Sequence, residues 1–337
     1  MTTQPAAAFR LKPEATKSIV DMHKTRTLFV AAGLLVAGLL VSAQQPAPAT
    51  PPADPAVAAG QGPGRGQRGG RGPGRGAPRV RKTVLAWADT RNGVAQHDSV
   101  SHALAVIERL GYESGAYDTY IRTDSHIISK TPQKTTGEPA SGGPNLNNVD
   151  AIFFMGHRDV PLDDKQKADL LSFVRDDGKG FVAAHVGLTA LESWPEFGEL
   201  LGARFDGHPI VGPGVVINED PSFPATKHLP AKYDFTDEFY QPKEYSRDKV
   251  HVLLRLDLSN VAANPGLHRP DKDYPLAWAK MYGKGRVFYG SFAHASSTWD
   301  IRDVQQMYLE AIKWSLGMTN ADLKPHPMSA PATEPAR

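Results

Sequence analysis

Two apolar segments of this sequence run directly into a histidine: Gly180-Phe-Val-Ala-Ala-His185 and Gly285-Arg-Val-Phe-Tyr-Gly-Ser-Phe-Ala-His294. A buried parallel strand that stops at a turn delivers its last side chain to the carboxyl edge of the sheet, where α/β proteins place their ligands. An imidazole there, with an ordinary pKa of about 6.5, serves as a general base or as a metal ligand through one ring nitrogen. The plainer alternative is a histidine that only packs and hydrogen-bonds at a strand end. Val186-Gly187 after His185 gives the layout of a nucleophile elbow, but with an imidazole in place of Ser or Cys, which excludes a thiol-type acyl acceptor.

Other residues could join this pair. His208, in Phe205-Asp-Gly-His-Pro209, is expected in a loop that folds over the same edge. Asp237-Glu238 offers adjacent carboxylates, one of which could orient or protonate a histidine, and Tyr240 follows closely. His97, just beyond the first strand, opens on the same edge, although helix starts also carry such residues for capping. Trp299, Trp194 and Tyr240 offer flat faces for a sugar ring, whereas Trp278 lies within a strand pattern and reads as core. The expected catalytic set is therefore His185, His294 and Glu238, with His208, Asp237, Tyr240, Trp299 and His97 as substrate contacts. His157, His228, His251 and His268 have no comparable setting and read as surface or structural.

No His-Glu-x-x-His motif is present, and the candidate histidines are scattered over nearly two hundred residues. No cofactor is demanded, and a divalent metal such as zinc would need a site assembled by the fold, drawing on His185, His208 and His294. The first strand leads into Trp87-Ala-Asp-Thr-Arg-Asn-Gly93 instead of Gly-x-Gly-x-x-Gly, and no phosphate-loop lysine occurs, so nucleotide cofactors are disfavoured.

The elements that must position these residues alternate. Strands are predicted at Val84–Trp87, Tyr112–Tyr117, Asp150–Phe154, Gly180–His185, near Val215, and at Val250–Leu256, Leu276–Met281 and Arg286–Phe292. Helices are predicted over Val94–Leu110, ended by Gly111, and over Lys165–Asp176, where Asp163 and Gln166 form a capping box. Two more are expected, over Pro195–Leu201 and over Asp303–Leu316, the last with Val304, Met307, Tyr308, Ala311 and Ile312 on one face. The alternation implies an α/β fold: an open, mostly parallel sheet flanked by helices on both faces.

The ends of the chain differ from this domain. Lys24 and Arg26 precede an apolar run from Leu28 to Val41, and Val41-Ser-Ala43 supplies a signal-peptidase pattern. Residues 1–43 therefore read as a signal-peptide region, and Met22 sits where a compact signal would begin, which suggests that translation starts there. Export to the periplasm or secretion is expected, with an uncleaved N-terminal membrane anchor as the alternative. Residues 44–82 are a Pro/Ala stretch and then a Gly/Arg stretch with almost no large apolar side chain, a composition that reads as a disordered linker. Its Arg65–Lys82 part suits a weak contact with an anionic surface, but it lacks the aromatics of an RNA-binding tract. Residues 318–337 read as a disordered tail.

The net charge is +2 over 337 residues; residues 1–43 carry +3 and residues 44–82 carry +6, so residues 83–337 carry −7. A mildly acidic domain is not a specific nucleic-acid binder. The absence of cysteine excludes disulfides, thiolate metal sites and a Cys nucleophile.

The ordered set of Leu162-x-x-x-Gln166 leading into Phe173-Val-Arg-Asp-Asp-Gly-Lys-Gly-Phe-Val-Ala-Ala-His185, Gly202-Ala-Arg-Phe-Asp-Gly-His-Pro209, Asp237-Glu-Phe-Tyr240, Gly283-Lys-Gly-Arg-Val-Phe-Tyr289 with His294, and Thr298-Trp-Asp300 resembles the ThuA-like family, named for trehalose utilisation. The likeness runs from about Thr83 to Gly317. It implies a class I glutamine amidotransferase-like fold, a flavodoxin-like three-layer sandwich. His185 would stand at the position of the amidotransferase cysteine, His294 near its late histidine, and Ser296 where the triad glutamate would be. What the resemblance implies for function is carbohydrate utilisation, on a trehalose-like disaccharide or keto-sugar, without glutamine amide hydrolysis. The alternatives are a non-catalytic glycan-binding module on the same fold, and tethering through the arginine tract.

Overall fold

The computed structural model describes residues 81–259 and 261–328. The signal-peptide region and most of the linker therefore lie outside the described residues. Among the described residues, no helix is long and apolar enough to cross a membrane.

The order begins β1 (Lys82–Trp87), α1 (Ser99–Ser114), β2 (Tyr117–Arg122), β3 (Ala151–Phe154), α2 (Asp164–Arg175), β4 (Gly180–Ala184) and α3 (Pro195–Leu201). It continues with β5 (Arg204–Phe205), β6 (Ile210–Asn218), β7 (Lys232–Phe239), β8 (Pro242–Lys243), β9 (His251–Asp257), β10 (Pro275–Tyr282), β11 (Gly285–Gly290) and α4 (Arg302–Ser315). Nine strands form one sheet in the order β2-β1-β3-β4-β11-β10-β9-β6-β7, while β5 and β8 pair separately. The strands from β2 to β11 are mutually parallel, and β10, β9, β6 and β7 follow by antiparallel pairings. Since β9 and β7 thereby regain the original direction, only β10 and β6 oppose the rest.

Alternation along the central strands builds the core on both faces. Val84, Ala86, Phe153, Val182 and Phe288 pack with Leu104 and Ile107 of α1 and with Tyr308 and Ile312 of α4. The intervening residues Leu85, Trp87, Ile152, Phe154, Phe181 and Tyr289 pack with Leu170 and Phe173 of α2 and with Phe197 of α3. The result is the expected sheet between two helical layers. All five residues predicted on the inner face of α4 are buried.

The expected boundaries shift at α1. The helix starts at Ser99 instead of Val94, which leaves Val94–Asp98 as a loop, and it passes through Gly111 to a left-handed cap at Gly115 (φ 67°). Gly111 serves packing: a Cβ there would lie 2.3 Å from the Tyr117 ring. The second strand is consequently Tyr117–Arg122, not Tyr112–Tyr117. Of the expected tail, the described part is held to the sheet, with His251 Nδ1 donating to the Lys324 carbonyl (2.8 Å) and His326 Nε2 to that of Val252 (3.0 Å).

Asp150 ties together the amino ends of the central strands. It accepts from the Thr83 amide (3.1 Å), Lys82 Nζ (3.1 Å) and Lys179 Nζ (3.0 Å). Burial pushes its pKa up, but the Thr83 hydrogen bond and the two ammonium groups outweigh this and hold it below the usual value. A carboxylate with a depressed folded-state pKa stabilises the fold above its unfolded pKa and loses that contribution as pH falls through the folded value. Asp150→Asn should therefore flatten the acid limb of a plot of urea midpoint against pH below about 4. An unchanged limb would show that the cluster contributes nothing to acid sensitivity.

Candidate functional site

The carboxyl ends of the parallel strands carry four loops that converge. The sheet order reverses between β1, which is followed in the chain by β2 on one side, and β3 on the other. A crevice opens outside the carboxyl ends of parallel strands at such a switch point. Here a cavity of about 650 Å³ is lined by Ala95–Asp98 beyond β1, His157 beyond β3, and His294–Ser297 beyond β11.

His185, directly after β4, lies behind the lining residues His97 and His294, its ring centroid 5.4 and 5.2 Å from theirs. Its backbone is left-handed (φ 37°), a region that a residue with a Cβ enters at a cost of about 1–2 kcal/mol. The side chain is fully buried. Nδ1 donates to the Ser291 carbonyl at 2.7 Å, which fixes the tautomer and leaves Nε2 directed at the other groups. The Tyr240 ring lies over the imidazole with centroids 4.3 Å apart, and the Tyr289 hydroxyl donates to the His185 carbonyl at 3.1 Å.

His185 Nε2 lies 3.2 Å from His294 Nδ1 and 3.3 Å from Glu238 Oε2, and His294 Nδ1 lies 3.1 Å from the same Oε2. The other Glu238 oxygen, Oε1, faces His208 Nδ1 at 3.3 Å. His97 stands across the crevice, its ring centroid 4.9 Å from that of His294, 5.4 Å from that of His185 and 5.1 Å from that of His157. One ligand atom from each of His97, His185, Glu238 and His294 falls within 4.8 Å of the others.

Glu238 comes from the far edge of the sheet. The ladder between β6 and β7 runs from Ile210↔Phe239 to Ile217↔Lys232, whereas β6 pairs with β9 only over Val215–Asn218. The remaining half of this hairpin extends beyond β9, and its open end, opposite the turn, brings Asp237 and Glu238 to the histidines. Asp237 does not face the crevice. Its Oδ2 accepts from the Ala293 amide (2.7 Å), and its Oδ1 accepts from the amides of His294 (3.1 Å) and Glu238 (2.9 Å). It thus clasps the turn that presents His294, where Ala293 is also left-handed (φ 84°).

Sequence comparison locates this domain among known proteins. The profile of the ThuA family, described as trehalose utilisation, matches residues 83–315. The chain belongs to the ThuA family. Among solved structures, the ThuA domain is similar to a ThuA-like protein from Bacteroides uniformis, at a TM-score of 0.56 and 20% identity over 72% of this chain and 94% of that one. It is also similar to one from Parabacteroides merdae, at 0.51 and 16% identity over 72% and 92% of the respective chains. At these identities the likeness speaks for the fold. A search of curated proteins finds no significant match.

Of the residues singled out from sequence, the ThuA domain brings His97, His185, His208, Glu238, His294 and Tyr240 together. Asp237 is a support instead of a substrate contact. Trp299 is a correction: the short helical turn Ser296–Asp300 swings it inward, fully buried, where it stacks on Tyr308 and donates to the Ala293 carbonyl at 3.2 Å. It presents no face to a sugar. Trp194 is 7% exposed and stacks on Phe197, so it is core as well, and Trp278 is core as expected.

His157 joins the site although the sequence pattern does not single it out. It lines the crevice beside His97, and its Nδ1 donates to the Ala95 carbonyl at 3.0 Å. The available signal is Met155-Gly-His157, which follows the clearest buried strand, as His185 follows its own.

Electrostatics divide the roles. Burial pushes Glu238 up, but the His185 hydrogen bond and the positive potential of His294, His185 and His208 prevail and bring it down to about 2. Burial, with repulsion from His185, His157 and His294, lowers His97 to about 4. At neutral pH the crevice therefore holds an ionised carboxylate and a neutral imidazole with a free lone pair. Such a set accepts protons from hydroxyl groups and orients them. A more apolar cavity of about 340 Å³, lined by Leu229, Tyr233, Phe292 and Met307 among others, has no comparable cluster of donors.

Proposed function

We propose that this protein is an exported enzyme of carbohydrate utilisation that acts on a trehalose-like disaccharide or its keto derivative in the crevice at the sheet's carboxyl edge. Family membership supports the carbohydrate class. The observation that carries the enzymatic reading is the convergence of His97, His185 and His294, from the turns after β1, β4 and β11, with Glu238 near the end of β7. Groups with perturbed pKa values gathered in a cleft at a switch point are the arrangement that acid–base chemistry requires. His97, a neutral imidazole facing the crevice, accepts a proton from a sugar hydroxyl or from the carbon beside a keto group, beside His294, which engages Glu238. Glu238 holds the imidazoles in register and stabilises the charge that develops on them. Because Trp299, Trp194 and Trp278 are buried, no tryptophan platform supports the alternative of a binding module that stacks on sugar rings.

The test is a screen of disaccharides and their oxidised forms against the purified chain, with products followed by mass spectrometry. Conversion of at least one member is expected, together with its reduction in Glu238→Gln. Calorimetric binding of a sugar without any product would overturn the enzymatic reading. Export is tested separately, by fractionating cells that express the full chain; recovery only from the cytosol would refute it.

A further inference from the structure

We propose that His185, His294 and Glu238 form a binding site for one divalent transition-metal cation, with an open coordination position facing His97 and the crevice. The inference takes its location from the proposed carbohydrate site but rests on ligand geometry. Nε2 of His185, Nδ1 of His294 and Oε2 of Glu238 make a triangle with sides of 3.2, 3.3 and 3.1 Å. A four-coordinate cation with bonds of about 2.05 Å sets its ligand atoms about 3.3 Å apart. One face of an octahedral site with bonds of about 2.2 Å sets them about 3.1 Å apart. The triangle thus fits a cation standing just off its plane without rearrangement.

The charges point the same way. Because the Nδ1 hydrogen of His185 is committed to Ser291, its Nε2 offers a lone pair in the neutral ring. Two ring nitrogens and a carboxylate oxygen within 3.3 Å of one another cannot all be satisfied by one proton, which bridges a single edge. A cation at the centre satisfies all three. The set of two histidines and one glutamate is also one that catalytic metal sites use, because three protein ligands leave room for water or substrate.

Outer partners match as well. Metal-binding histidines donate their second ring N–H to a carbonyl or carboxylate, as His185 does to Ser291. Glu238 has its remaining oxygen against His208. His97 faces the open position, where it could become a fourth ligand or hold a bound water. His157 completes the wall with its Nδ1 anchored to Ala95. An oxygen of a sugar diol or keto group is the ligand such an open position would take.

The experiment uses the full chain, stripped with a chelator, dialysed, and titrated calorimetrically with Zn²⁺ alone and with Mn²⁺ alone. One equivalent of at least one metal is expected to bind. His294→Ala and Glu238→Gln should each weaken it by about 100-fold or more, and His208→Ala by about 10- to 100-fold. His185 is buried and its loss endangers folding, so partly exposed His294 carries the test, with circular dichroism confirming the fold. His228→Ala, remote from the crevice, should leave binding unchanged. Absence of binding in the unaltered chain, or full affinity in the His294→Ala/Glu238→Gln double variant, would overturn the site. If metal binds and no sugar is converted, the site stands and the functional reading falls. If the protein binds no metal yet converts a sugar, the site falls and the functional reading stands.

Discussion

Alanine at both His185 and His294 is expected to reduce conversion of any substrate found for this protein by about 1,000-fold or more, within the range that a positioned acid–base group contributes. The two side chains meet at 3.2 Å although they lie 109 residues apart in sequence, and each also faces Glu238. Removing both leaves the carboxylate without the imidazoles that engage it and lower its pKa. The His294 single variant should give most of this loss with little change in stability, because its side chain is 43% exposed. The His185 variant should lose activity and stability together, since the ring is wholly enclosed and packed under Tyr240. Conversion rates for the three variants, read beside their urea midpoints, check this. Undiminished conversion by the folded double variant would remove these residues from the chemistry.

Asp237→Ala should be the most destabilising change near the site that touches no substrate. The carboxylate accepts from three backbone amides, those of Ala293, His294 and Glu238. At roughly 1 kcal/mol for each stranded donor, about 3 kcal/mol of stability should go with it. The same loss frees the turn that presents His294, so activity should fall even under conditions where the variant remains folded. Asp237→Asn keeps one oxygen for the amides of His294 and Glu238 but turns its NH₂ toward the amide of Ala293, and should lie between the two. Denaturant midpoints give the first quantity. A drop in kcat with KM nearly constant gives the second, as expected of a positioning residue. A variant with unchanged midpoint would show that water replaces the clasp at no cost.

The sheet is legible in the sequence because its central strands are apolar on both faces and end at turns. That logic also locates His185 and His294. His157 obeys the same rule at the end of β3 but is hard to pick out, because a single histidine after Met155-Gly156 has no partner nearby in the sequence. The arm of β6 and β7 is not legible. Gly212-Pro213-Gly214 interrupts the strand pattern, and proline is tolerated there because this half of β6 pairs on one side only. Without the arm, Asp237 and Glu238 look like a solvated loop pair, whereas they are 7% and 9% exposed. Trp299 misleads in the opposite sense: a run of small polar residues around it suggests solvent, but the turn points its ring into the gap between Phe153 and Tyr308.

The hairpin that reaches across from the sheet's outer edge makes the domain a two-part device. Everything from β1 to β4 with β11 supplies imidazoles on a rigid frame, and a separate peninsula supplies the one carboxylate that engages them. Trimming or lengthening that peninsula by a residue pair would withdraw the carboxylate while leaving the frame's hydrocarbon interior intact. Descendants of such a chain can therefore gain, retune or abandon their chemistry through small length changes in one ribbon, with no need to rebuild the fold beneath it.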